Sequence, residues 1–112
     1  MSESNQILTQ SVSAAKSSVV NTGGARHHTF EVVFTDSVAP TVVVVTFRGS
    51  IIDGLSTSMK EVLAHTFTAP QLTAKSALIF LPDKLFQYLE VEVTTQTGGT
   101  SVLYDVHYQG AR

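Results

Sequence analysis

Residues 41–47 read Thr-Val-Val-Val-Val-Thr-Phe, and the four consecutive valines, Val42 to Val45, restrict what this chain can fold into more than any other feature. β-Branched side chains are stiff at χ1, which crowds a helix and suits a pleated surface. Because the run is apolar on both faces, it predicts a central strand of a sandwich or a strand covered by a neighbouring chain. Gly49 and Asp53-Gly54 follow it with turn chemistry.

A chain of 112 residues supports one domain with one core. Hydrophobic residues make up 43% and charged residues only 14%, against roughly 25% charged in ordinary soluble domains. A surface so poor in charge is expected to be covered in part by a partner or by copies of itself. The net charge is -2, and the seven Lys and Arg residues are spread from Lys16 to Arg112, with no basic run to track a phosphate backbone. No nucleic-acid partner is expected. With no cysteine there are no disulfides and no thiolate chemistry, so packing alone holds the domain and oligomerisation would assist it. The first residues, Met1-Ser2-Glu3-Ser4, have neither a basic nor an apolar signal region, and no apolar stretch approaches the ~20 residues of a membrane span. Neither a signal peptide nor a membrane contact is expected.

The spacing along the chain predicts an all-β fold, a single antiparallel β-sandwich of about seven to eight short strands with an extended N-terminal arm. Residues 1–24 form the arm, rich in Ser, Thr, Asn and Gln and ending in Gly23-Gly24; residues 25–112 form the sandwich. The arm either pairs as an edge strand of its own domain or reaches over a neighbour and orders there. Phe30, Val32 and Phe34 alternate in the first strand, and residues 37–40 read as a turn. Residues 59–68 satisfy both helix and strand patterns, with the alternation of Val62, Ala64, Thr66 and Thr68 favouring a strand. Residues 70–74 read as a loop, 76–81 as a strand and 82–84 as a turn begun by Pro82. Residues 86–94 and 101–109 alternate most clearly, and Gly98-Gly99 between them predicts a β-hairpin.

This order resembles that of small β-sandwich bacteriophage virion structural proteins, of the capsid decoration and tail accessory type. The likeness rests on the Ser/Thr-rich arm, the strand His28 to Val33, the segment Val45 to Ser50 with Asp53-Gly54, the aromatic strand Phe86 to Val93 and the final Gly-Gly-Thr at Gly98 to Thr100. Met59 stands where such proteins often carry a Trp, and Leu89 where an Arg is more usual. The resemblance implies a non-enzymatic component of the virion, made in the host cytoplasm and bound to the particle exterior as capsid decoration. Its partners would be other virion proteins, the major capsid protein first, and copies of itself in a homo-oligomer. A tail, neck or baseplate accessory is the alternative within this class. A carbohydrate- or receptor-binding module is the alternative outside it.

Candidate chemistry is sparse. His27 and His28 are adjacent on a strand, so alternation sends them to opposite faces, away from any common metal. His65 and His107 lie on separate strands. Asp53, Asp83, Asp105, Glu90 and Glu92 supply carboxylates; Glu90 and Glu92 share a strand face about 7 Å apart, without the ligand-dense loop of a calcium site, and read as solvated. No nucleophile elbow or phosphate-cradling Gly-rich loop is present. No catalytic residue, cofactor or metal is therefore assigned. Phe86, Tyr88, Tyr104 and Tyr108 would suit a sugar-stacking platform if they were exposed together. Partner contacts are assigned to the arm, through Ile7, Leu8, Val12 and Val19, to the valine strand, through Val43, Val45 and Phe47, and to Tyr88.

Overall fold

The computed structural model describes residues 5–82, 84 and 86–111. It contains eight strands in two four-stranded antiparallel sheets: β1 (Asn5–Ser11), β2 (Val20–Asn21), β3 (His27–Thr35), β4 (Val38–Ser50), β5 (Lys60–Thr66), β6 (Ser76–Leu81), β7 (Tyr88–Thr100) and β8 (Leu103–Ala111). One sheet has the order β1-β8-β3-β6 and the other β2-β7-β4-β5. The valine run is thus a central strand. Its alternate residues Val43, Val45 and Phe47 are fully buried against Phe30, Val32, Tyr104 and Val106 of the facing sheet. The Phe30 and Phe47 rings meet across the sandwich at 4.5 Å between centroids. Removing this much apolar surface from water is the main force holding two sheets that have no disulfide between them.

From Asn5 onward the arm is part of the sandwich. Of its two readings, residues 5–11 follow the first: β1 pairs with β8 from Asn5 opposite Tyr108 to Ser11 opposite Tyr104. Ile7 and Leu8 enter the core. The register slips twice along β1 and Gln10 takes a positive φ of 43°, as happens where a bulge re-aims the backbone. Asp105 fills the gap: its Oδ1 accepts from Gln6 Nε2 at 2.7 Å and from the Gln10 backbone N–H at 2.9 Å, and its Oδ2 accepts from Gln10 Nε2 at 2.6 Å. Further along, Ser17 N–H donates to the Val91 carbonyl and Ser17 Oγ accepts from Val91 N–H. Asp105 is a buried carboxylate held by three donors, so Asp105→Ala is expected to lower stability by about 2–3 kcal/mol and Asp105→Asn by less, measured by chemical denaturation.

Three local expectations need correction. The segment after β5 is a helix, α1 (Ala69–Ala74), where a loop was expected. Thr68 caps it, the Gln71 side chain returns a bond to the Thr68 N–H, Pro70 occupies its first turn and Lys75 ends it at a φ of 58°. This is a complete capping box, and Thr68-Ala69-Pro70-Gln71 spells it in the sequence. The expected hairpin is absent, because β7 and β8 lie in different sheets. Gly98 and Gly99, with φ of 71° and 85°, instead lie within β7, with Gly98 opposite Pro40 and next to a bulge at Thr41 of β4. A Cβ on Gly99 would lie 2.8 Å from Val102 Cγ2 and 3.1 Å from the Pro40 nitrogen. The expected turn at 37–40 shrinks to residues 36–37, and Pro40 is tolerated within β4 because the bulge leaves no regular ladder there. β3 to β4 and β7 to β8 cross between the sheets side by side, joined where Ser37 N–H donates to the Thr100 carbonyl. The expected turn at 82–84 lies partly outside the described residues.

Candidate interaction surface

The segment after β4 folds back on its own polar groups. Ser50 Oγ accepts from the Ile52 N–H at 3.1 Å and from the Asp53 N–H at 3.4 Å, and Asp53 Oδ1 accepts from the Leu55 N–H at 3.0 Å. With its backbone satisfied by Ser and Asp turns, the loop needs no contact from its apolar side chains, and they point to solvent. Ile51, Ile52 and Leu55 are 76, 78 and 63% exposed. Beside them lies an open depression of about 290 Å³ whose lining includes Ile51, Ile52, Val62 and Phe86, with Lys60 and Glu61 at its rim. Gly54 packs this loop against the body: a Cβ there would stand 3.4 Å from Val19 Cγ1 and 3.5 Å from Tyr88 Cδ1. An apolar centre with a polar rim at one end of the sandwich has the composition of a protein-binding surface.

Of the residues assigned to partner contact, Val19 and Tyr88 belong to this end. Val12 is exposed elsewhere, beyond the end of β1. Ile7, Leu8, Val43, Val45 and Phe47 are buried in the core. The signal for the loop was in the sequence: two isoleucines between Ser50 and Asp53-Gly54 are out of place in a turn built only for reversal. The stacking platform is also corrected, because Phe86, Tyr104 and Tyr108 are buried and only Tyr88 is partly open. Tyr104 donates to Gln96 Oε1 at 2.8 Å, and burial pushes the hydroxyls of Tyr104 and Tyr108 up to about 12, with the Asp36 charge adding to the shift at Tyr104.

The titratable groups do structural work. Glu90 is 2% exposed, and Arg48 lies between it and Glu92, 3.8 Å from Glu90 Oε1 and 2.9 Å from Glu92 Oε1. The two carboxylates therefore form no solvated face, contrary to the alternation reading, and both face the Arg48 guanidinium. His28 is fully buried on the inner face, its Nδ1 2.7 Å from the Tyr108 hydroxyl and its Nε2 2.8 Å from the Lys84 carbonyl, with its ring stacked on Phe86 at 4.7 Å. His27 faces outward and stacks on Phe80. His65 bonds Gln71 at the β5 edge, and His107 lines a depression on the outer face of the other sheet. Asp83 lies outside the described residues.

Eight antiparallel strands in two facing sheets define a β-sandwich, an architecture that hosts many unrelated functions. No family model and no curated protein matches the sequence. Solved structures share the fold. The SPBc2 prophage-derived protein YomS superposes with a TM-score of 0.59 at 14% identity, over 98% of this chain and 94% of its own. The K1 cleaved adhesin domain of Lys-gingipain from Porphyromonas gingivalis gives 0.55 at 15% identity, over 87% of this chain and 62% of its own. CBM32-1, from a family 31 glycoside hydrolase of Clostridium perfringens, gives 0.53 at 10% identity, over 99% and 94%. At such identities the likeness is one of fold.

Proposed function

We propose that this protein is a non-enzymatic structural component of a bacteriophage virion, a capsid decoration protein that binds the particle exterior through the apolar end formed by Ile51, Ile52, Leu55, Val19 and Tyr88. The observation that carries this reading is the ordered loop 51–55, which holds three large apolar side chains in solvent without using them for its own fold. The low charge content and the similarity of fold to a prophage-derived protein support it. Many copies on a symmetric lattice gain by multivalency, so a small apolar contact suffices for each.

Quantitative mass spectrometry of purified particles tests the proposal by counting this chain against the major capsid protein. Hundreds of copies are expected; a few dozen or fewer would move the protein to the tail, neck or baseplate, and absence would overturn the virion reading. Ile52→Asp, at an exposed position, is expected to leave the fold intact and reduce recovery on particles by at least about tenfold. The second reading, a carbohydrate-binding module, is supported by the likeness to CBM32-1 and by the partly open Tyr88. It requires saturable glycan binding that Tyr88→Ala removes.

A further inference from the structure

We infer that β6 is a self-association edge, through which two copies of this chain pair antiparallel and join their β1-β8-β3-β6 sheets into one. Four strands stand at sheet edges among the described residues, and three of them are blunted. β1 slips register twice, β2 is two residues long, and β5 opens with Lys60-Glu61 and breaks register beside Arg48. Native sheets use such devices to refuse further strands. β6 has none: its register with β3 is unbroken over six pairs, and Ser76 to Leu81 contains neither charge nor proline.

Register decides which groups are offered. The Phe34 N–H donates to the Lys75 carbonyl, so the backbone groups of Ala77, Ile79 and Leu81 face β3 and those of Ser76, Leu78 and Phe80 face away. The side chains of Leu78 and Phe80 are 68 and 58% exposed on the outer face of the sheet. An antiparallel pair with Ile79 on the two-fold axis sets Leu78 opposite Phe80 of the second copy, twice. Four large apolar side chains then share one face, and four backbone hydrogen bonds close the seam. A net charge of -2 per copy gives little repulsion to oppose this. The strand's self-complementary pattern points to a second copy rather than to an unrelated segment.

Self-pairing through β6 does not depend on where the protein resides, and it is tested on the purified full chain. Analytical ultracentrifugation is expected to give a concentration-dependent species of twice 12.0 kDa. Leu78→Lys should return it to monomer, while Val12→Lys, equally exposed but distant, should not. Because the Leu78 and Phe80 amides become bonded only in the pair, their hydrogen exchange in the unaltered chain should slow by at least about tenfold between dilute and concentrated samples. A chain that stays monomeric at its solubility limit overturns the inference. So does a dimer that survives Leu78→Lys, or one that leaves those two amides in fast exchange.

Discussion

A chain lacking residues 1–22 is expected to lose its cooperative unfolding transition altogether. The truncation removes Ile7 and Leu8 from the core, worth about 1.5–3 kcal/mol each by transfer. It also strips Asp105 of its three donors, each such bond to a charged group contributing about 1.5–3 kcal/mol, and leaves a carboxylate with nothing opposite it. β8 and β7 lose β1 and β2, so two rows of backbone groups open along both sheets. Set against a typical total stability of about 5–15 kcal/mol, these losses are decisive. Circular dichroism during heating, with amide dispersion by NMR, reads the result. A truncated chain that still unfolds cooperatively would show that the N-terminal segment is an attachment and not a component of the fold.

His28→Ala is expected to cost about 4 kcal/mol near neutral pH, from the cavity left beside Phe86 and from two polar partners left unpaired. The Lys84 carbonyl can only accept, so Nε2 carries the proton and donates to it. Nδ1 then accepts from the Tyr108 hydroxyl, a donor that stays protonated because burial pushes it up to about 12. The neutral ring satisfies both contacts. Burial holds the His28 pKa below the ordinary 6.5; the Lys84 bond opposes that shift and His27 adds to it. As pH falls through 6.5 the unfolded chain takes up a proton that the native chain still refuses, so His28 costs stability there, by up to about 1.4 kcal/mol per pH unit, until its native pKa is reached. Denaturation of both chains at several pH values should therefore show the penalty of His28→Ala shrinking from pH 8 towards pH 5. A penalty independent of pH would mean that the ring is protonated equally in both states. Tyr108→Phe removes a single hydroxyl and should cost about 1–2 kcal/mol.

Legibility in the sequence follows from which interactions are local. Alternation of Phe30, Val32 and Phe34, and of Leu89, Val91 and Val93, placed those residues on inner faces because a strand's period is a property of its own backbone. The same alternation assigned Glu90 to an outward face, correctly, but whether that face is wet depends on Arg48 and its neighbours, which no period reveals. Ile51 and Ile52 were visible as apolar residues in a turn, yet their role as the centre of an exposed surface follows only from the Ser50 and Asp53 bonds that turn the backbone's polar groups inward.

By itself the sequence determined the class of fold, the valine run as a strand apolar on both faces and the extended segments either side of it, since β-branched runs and period-two alternation act through neighbouring residues; that the valine strand is central came from the pairing. Only the tertiary structure decided that the N-terminal segment completes its own sheet, that the chain after Gly98-Gly99 crosses to the other sheet instead of closing a hairpin, and that β6 is left as an open edge. Those outcomes are fixed by pairing between residues distant along the chain, such as Gln10 with Asp105 and Pro40 with Gly98, where the free energy of a contact depends on what the remainder of the fold has already brought beside it.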